Sequence, residues 1–328
     1  YNAIPLPERL SITPGKTQHP DPEQVFERAA LQLSGMGYRE ILTNSLISKI
    51  HTQITGGMEG SPVEVLNPLS ADLSIMRHSM LPGAIEAIVH NLNRKQDVLQ
   101  FFEFGKVYSK TETQYVESPR IGIYLTGPIH REHWKGKAGK VDLYRLRASI
   151  DALLDAVLPT GRRAIRVEAV EDATFGTAIR MTWDRRELAR AGRIRPEICR
   201  ASGIDQDVYA AEINSELLVE LSALELKQVS GPPRFPEVRR DLSMLLDRAV
   251  TYAEIESVSS SVEPQLLRAV DVFDVYEGDK IDTGKKSYAL SFILRDDEAT
   301  LQEKQIDSVM QKLMKQFEGK LGAVIRKA

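Results

Sequence analysis

The 328-residue chain is predicted to be an α+β protein: a largely antiparallel sheet with helices, followed by a smaller βαββαβ unit. Three observations say so. Strand-like and helix-like segments mix without the regular βαβ alternation of a parallel sheet. A stretch at 227–236, with Ser230, Gly231, Pro232, Pro233 and Pro236, breaks the chain before its last part. In that last part, Thr251-Tyr252-Ala253-Glu254 and Thr300-Leu301-Gln302-Glu303 are capping-box helix starts set between alternating strands.

Taken in order, Pro5, Pro7, Pro14, Gly15 and Pro20 make residues 1–20 extended and loop-like. Asp21 is an N-cap, Pro22 opens the helix and Gln24 closes a capping box; Val25, Phe26, Ala29, Ala30 and Leu33 follow at helical spacing, and Gly35 and Gly37 stop it. Strands are expected at 38–46 and 63–66. A helix opens at Leu81-Pro82-Gly83 with Ile85, Ile88, Val89 and Leu92 on one face. Strands at 98–108 and 121–126 precede an amphipathic helix at 142–157, ended by Pro159 and Gly161. Two or three strands between 163 and 190, a short helix near 196–200, a strand at 208–213 and a helix at 215–224 complete the first part, 21–226. Across the break, strands at 240–246, 269–275 and 288–294 alternate with two helices. The second helix carries Ile306, Val309, Met310, Leu313, Met314 and Phe317, an i, i+3, i+4, i+7 stripe. With a last short strand near Gly322, residues 237–328 follow the ferredoxin-like plan.

A hydrophobic content of 42% and a charged content of 27% describe a globular chain with a real core, of two domains or three. The net charge of −3 excludes general coating of nucleic acid, so any RNA contact must use a local patch. The single cysteine, Cys199, excludes a disulfide framework and a Cys-rich zinc site and fits a reducing compartment. No apolar run reaches 18 residues and the opening residues do not read as a signal peptide, so no membrane association is expected. The opening Tyr1-Asn2-Ala3-Ile4-Pro5 reads as the start of a piece of something longer.

Few motifs suggest independent chemistry, and no metal site is expected. His130-Arg131-Glu132-His133 has two histidines three apart, but Pro128 and Gly136 place them in a loop, where a solvated turn is the better reading. Asp271 and Asp274 alternate with Val272 and Phe273 and should point to opposite faces of a strand. Cys199 reads as a buried small residue. Arg77 and Arg94 are candidates for RNA or interface contacts, with internal salt bridges preferred. No Walker loop, nucleophile elbow or dinucleotide fingerprint occurs.

In the small unit, Leu242, Met244, Tyr288, Leu290, Phe292 and Leu294 should face the helices. That leaves Asp241, Ser243, Ser287, Ala289, Ser291 and Arg295 on the open side. No stacking aromatics stand at those positions, which favours binding through shape and phosphate contacts. Residues 233–328 hold 15 basic and 17 acidic residues, so the basic ones must cluster; Arg239-Arg240 and Lys285-Lys286 start two strands.

Four segments, Phe235-Pro236-Glu237-Val238-Arg239-Arg240-Asp241-Leu242, Val272-Phe273-Asp274-Val275-Tyr276-Glu277-Gly278, Gly284-Lys285-Lys286-Ser287 and Thr300-Leu301, resemble the ferredoxin-fold anticodon-binding domain of bacterial phenylalanyl-tRNA synthetase β subunits. Asn67-Pro68-Leu69-Ser70, Met76-Arg77-His78-Ser79-Met80-Leu81-Pro82-Gly83, Asn91-Leu92-Asn93-Arg94, Phe102-Glu103-Phe104-Gly105-Lys106-Val107-Tyr108 and Gly192-Arg193-Ile194-Arg195-Pro196-Glu197 resemble that family's catalytic-like core.

The resemblance implies a class II synthetase-like fold for 21–226, an anticodon-binding domain at 237–328, and residues 1–20 as the exit from an upstream domain. It implies a catalytic α subunit and tRNA as partners, an (αβ)2 heterotetramer, a cytoplasmic location, and ATP and Mg2+ as needs of the holoenzyme. A working class II core also needs two arginines for the ATP phosphates, because charge builds there as pyrophosphate leaves. Ser109 stands where the first would be, and Ala211-Glu212-Ile213-Asn214-Ser215 lacks the second and its glycines. Lys106 or Lys110 would offer only a point charge in place of a planar fork. The core is therefore expected to be catalytically silent, with no catalytic residue. The expected tRNA contacts are Arg239, Arg240, Lys285, Lys286, Ser287 and Arg295. The competing readings are an enzyme that adenylates an acid by itself and a protein-interaction scaffold whose small domain docks protein.

Overall fold

The computed structural model describes residues 3, 9, 21–53, 61–131, 133–136, 138–158, 164–224, 231–278 and 281–326. The expectations for 1–20 other than Ala3 and Arg9, for the helix stop at 159–161 and for 227–230 lie outside the described residues. The chain divides into two compact units, Tyr1–Lys227 and Gln228–Ala328, and the α+β character expected of it is observed.

The large unit runs α1 (Pro22–Gly35), β1 (Arg39–Glu40), β2 (Leu46–Ile47), β3 (Ile75–Met76), α2 (Leu81–Leu92), β4 (Leu99–Lys110), β5 (Tyr115–Thr126), α3 (Leu143–Val157), β6 (Arg166–Glu171), β7 (Phe175–Trp183), β8 (Arg186–Ile194), α4 (Pro196–Ala201), β9 (Val208–Asn214) and α5 (Ser215–Leu224). Its main sheet has the order β1-β4-β5-β9-β8-β7-β6, antiparallel except where β1 meets β4. Asp21 caps α1 by accepting from the Glu23 N–H at 3.1 Å, and Asp142 caps α3 by accepting from the Arg145 N–H at 2.8 Å. The apolar stripes of α1, α3 and α5 bury Leu33, Leu146, Ile150, Leu153 and Leu218 against Phe102, Ile121, Ile123 and Ile213 of the sheet. On the other side, Ile85 and Ile88 of α2 join Phe101, Tyr124 and Ala210.

Two expected strands are shorter than their patterns. The 38–46 run breaks after β1 because the Thr43 N–H and hydroxyl turn to the Glu103 carboxylate, at 3.1 and 2.9 Å. The 63–66 run is reduced to a single bridge, Glu64 to Ile75, between the restraints of Pro62 and Pro68.

Beneath this side of the sheet Arg77 and Glu103 form a buried pair, Nη1 to Oε1 2.9 Å, and Arg77 Nε also donates to the Lys106 carbonyl at 2.8 Å. Gly105 is required here: a Cβ would stand 2.1 Å from Arg77 Nη2. The internal salt bridge expected of Arg77 is thus present. Arg94 instead donates to the His90 carbonyl at 2.9 Å, capping the end of α2, with no ion pair among the described residues.

The small unit runs β10 (Val238–Asp247), α6 (Tyr252–Val262), β11 (Leu267–Tyr276), β12 (Lys285–Leu294), α7 (Glu303–Leu321) and β13 (Val324–Arg326), with sheet order β11-β12-β10-β13. This is the ferredoxin-like arrangement, its helices packed on one face. The Thr251–Glu254 capping box forms with both arms. The second box lies two residues beyond the expected one: Gln302 is the N-cap and Gln305 its partner. The shift places Leu301 just before the cap and Ile306 at the fourth helical position, and both are buried, the arrangement of a hydrophobic staple.

Candidate nucleic-acid interface

The open face of the small sheet follows from strand parity. Across β10 and β12 the pairs Arg240–Phe292, Leu242–Leu290, Met244–Tyr288 and Leu246–Lys286 alternate with Arg239–Ile293, Asp241–Ser291, Ser243–Ala289, Leu245–Ser287 and Asp247–Lys285. The first set holds the core residues Leu242, Met244, Leu246, Tyr288, Leu290 and Phe292, so the second set is the open face. Leu245 and Ile293 share that face with the small polar residues anticipated there.

The six residues expected to touch RNA divide accordingly. Arg239, Lys285 and Ser287 belong to the open face. Arg240 and Lys286 belong to the helix face. Arg240 Nη2 meets Glu303 of α7 at 2.7 Å, and Lys286, 8% exposed, holds its ammonium 5.0 Å from the centre of the Tyr288 ring. Arg295, just past β12, is held by Glu237 at 2.7 Å and Asp297 at 3.0 Å. Arg239 is itself braced, with Nε 2.8 Å from Asp241 and its guanidinium 5.3 Å from the centre of the Phe273 ring. The pairing with Asp241 raises its pKa above the ordinary arginine value. Ser287 lies on a central strand between Leu245 and Tyr276 and is only 7% exposed.

Two corrections come from β11. The register of β11 on β12 shifts between Val272 and Asp274, so Asp271 pairs with Ser291 and Asp274 with Ala289. Both partners are on the open face, and so therefore are both aspartates; the bulge inserts one residue and cancels the alternation that would have separated them. The face is also not bare of aromatics. Phe273, at the bulge and 54% exposed, lies beside Arg239, and Tyr276, 40% exposed, pairs with Ser287. A period of two counted from Asp271 reaches Phe273 but puts Tyr276 on the other face; only the bulge brings Tyr276 across, and a bulge leaves no reliable mark in one sequence. The resulting surface combines two accessible rings, hydroxyl groups and the acceptors Asp241, Asp271 and Asp274. That chemistry suits unstacked bases, whose faces stack and whose amino edges donate, better than a phosphate track.

The large unit has a cleft of about 490 Å³ on the side of its sheet opposite α1, α3 and α5. Ser109 of β4 and Asn214, at the β9–α5 junction, line it, and so do Arg120, Arg186 and Arg190, which the sequence reading did not single out. Two of these arginines are already occupied. Arg186 meets Glu220 at 2.6 Å, and Arg190 meets Glu187 and Asp172, each at 2.7 Å. Burial works to raise the Asp172 carboxyl, but the Thr174 and Phe175 N–H groups, at 2.8 and 3.2 Å, and Arg190 hold it below its ordinary value. Glu212 accepts from Ser79 Oγ at 2.5 Å and the Met80 N–H at 2.9 Å, and desolvation raises its pKa.

His130 and His133 stack at 4.6 Å in their loop, and among the described residues no group of three or more His, Cys, Asp or Glu is placed to hold a metal. Cys199 is buried, 4% exposed, and its thiol pKa is raised by desolvation.

Residues 6–215 match the family described as the phenylalanyl tRNA synthetase beta chain CLM domain, and residues 233–326 match the ferredoxin-fold anticodon binding domain. The phenylalanine–tRNA ligase beta subunit of Bacteroides thetaiotaomicron is 37% identical over 341 residues, covering 99% of this chain and 41% of that protein. The corresponding subunit of Porphyromonas gingivalis is 36% identical over 342 residues, with the same coverage. The chain thus spans 41% of the length of these relatives. Among solved structures, a pyrrolysyl tRNA synthetase of Desulfitobacterium hafniense aligns over 62% of this chain and 67% of its own, at 17% identity and a TM-score of 0.47.

Proposed function

This chain belongs to the phenylalanyl-tRNA synthetase β-chain family, and from that premise we propose that it takes part in charging tRNA with phenylalanine without carrying out the reaction itself. The observation that carries the RNA assignment is the open face of the small sheet. It joins Phe273 and Tyr276 to the acceptors Asp241, Asp271 and Asp274, within a segment that matches an anticodon-binding family. In this reading the anticodon loop lies on that face, its bases stacked on the two rings and its base edges met by the aspartates and Ser287. Arg239 and Lys285 meet the backbone at the margin, Arg295 fixes the end of β12, and Arg240 and Lys286 support the face from behind.

The large unit, 21–226, is a catalytically silent core whose role is to hold a catalytic α subunit in its working form. Supporting this, the cleft is lined by Ser109, which stands where the resemblance calls for the first phosphate-binding arginine, and by Asn214 of the segment that lacks the second, and Arg186 and Arg190 are paired with carboxylates. ATP and Mg2+ act at the α subunit. An (αβ)2 heterotetramer in the cytoplasm completes the reading. Among the described residues no helix is long and apolar enough to cross a membrane.

The test is binding of the chain to tRNA for phenylalanine and to the same tRNA with an altered anticodon, over a salt series. Tighter binding to the matching anticodon supports the assignment. Equal binding to both leaves only a generic electrostatic contact and sinks it. In parallel, ATP–pyrophosphate exchange by the chain alone would overturn the silent core.

A further inference from the structure

A second surface, on the large unit and independent of the anticodon reading, combines cations with an exposed ring. A concavity of about 230 Å³ is lined by Gly37, Arg39, Val98, Gln100, Phe101 and Arg131. It contains two guanidinium groups and no acid, and neither arginine has a carboxylate in ion-pair range among the described residues. Arg131 Nη2 donates to Gln96 Oε1 at 2.8 Å, a neutral contact that positions the fork without cancelling its charge. Gln100 Oε1 is buried without a hydrogen-bond partner.

The loop that supplies Arg131 continues to Trp134, which is 95% exposed, and its tip is closed by the His133–Gly136 bridge. His130, His133, Lys135 and Lys140 stand on the same loop. A tryptophan this exposed offers its whole ring face for stacking. An apolar protein partner would explain the ring but not two unneutralised arginines in one hollow. A bare anion would explain the arginines but not the ring.

We infer that this is a second RNA-binding site. A phosphodiester is held by Arg39 and Arg131, and a base stacks on Trp134.

The chain has two tryptophans, so a Trp183→Phe variant leaves Trp134 as the sole reporter. Titration with a tRNA transcript should quench its fluorescence saturably. Because Trp183→Phe touches packing, the same titration of the otherwise unaltered chain with and without Trp134→Phe gives an independent difference signal. Arg39→Ala with Arg131→Ala should weaken that signal at least tenfold. The slope of log K against log salt should fall by about 0.7 for each lost single-strand phosphate contact. An unquenched Trp134 at saturating tRNA, or a quench indifferent to the arginine variants, overturns the site. A quench produced by the α subunit and not by RNA overturns it in favour of protein docking. A Phe273→Ala/Tyr276→Ala chain separates the two proposals. Loss of anticodon preference with the Trp134 quench intact supports both. Anticodon preference unaffected by that variant, with the quench intact, sinks only the anticodon reading.

Discussion

Arg77 and Glu103 face each other 2.9 Å apart with side chains 3% and 0% exposed, and the same carboxylate also accepts from Thr43. Removing one partner strands the other charge where water cannot reach it. Glu103→Ala is therefore expected to destabilise the large unit by about 3–5 kcal/mol, measured by urea unfolding. Replacing both residues with apolar side chains of similar volume should cost far less. A double variant as unstable as the single one would show that packing, not the stranded charge, is responsible.

Asp172 gives a pH signature. Its carboxyl lies below the ordinary 3.8 in the folded protein, so its contribution is fully present above that value and fades as pH falls through the lowered folded pKa. Asp172→Asn should cost about 1.5–3 kcal/mol at neutral pH, the worth of hydrogen bonds to a charged acceptor. That cost should shrink below pH 3.8. A cost that stays constant down to pH 2 would remove the ion pair with Arg190 as its source.

Adjacent basic residues should behave differently. Arg239→Ala and Lys285→Ala alter the open face and should weaken tRNA binding while leaving thermal stability nearly unchanged. Arg240→Ala breaks a contact to α7, and Lys286→Ala empties a site that is 8% exposed. Both should lower the melting temperature and spare binding measured below it. The reverse pattern would place the ligand on the helix side.

Phe273→Ala and Tyr276→Ala should each reduce tRNA affinity by about 1–3 kcal/mol, the usual worth of a base stacked on a ring, with little change in salt dependence. A loss confined to the salt slope would point to phosphate contacts instead.

The fold was legible where burial enforces a period. The α7 stripe and the alternation of Leu242, Met244 and Leu246 mark core faces directly, because a slip of one residue would expose them. The capping box at Thr251 was legible for a different reason: its hydrogen bonds close within four consecutive residues. The site was less so. Lys285 and Lys286 are neighbours in the chain but on opposite faces in the sheet. The β11 bulge moves Asp274 and Tyr276 to a face that regular alternation from Asp271 denies them. The cleft arginines depend on strands far apart in sequence coming side by side. Leu301 displaced the second helix start because burying it outweighs a better capping hydroxyl at Thr300.

The strand β10 has β12 on one side and β13 on the other, and two helices and two further strands separate it from β13 in the chain. During synthesis this middle strand must wait with one bare edge until everything between has been made. Closure of that edge is a distant pairing, slow to form. Until then the exposed backbone is open to another nascent chain. The small unit's yield on expression should therefore respond to translation speed and to temperature more than its final stability suggests.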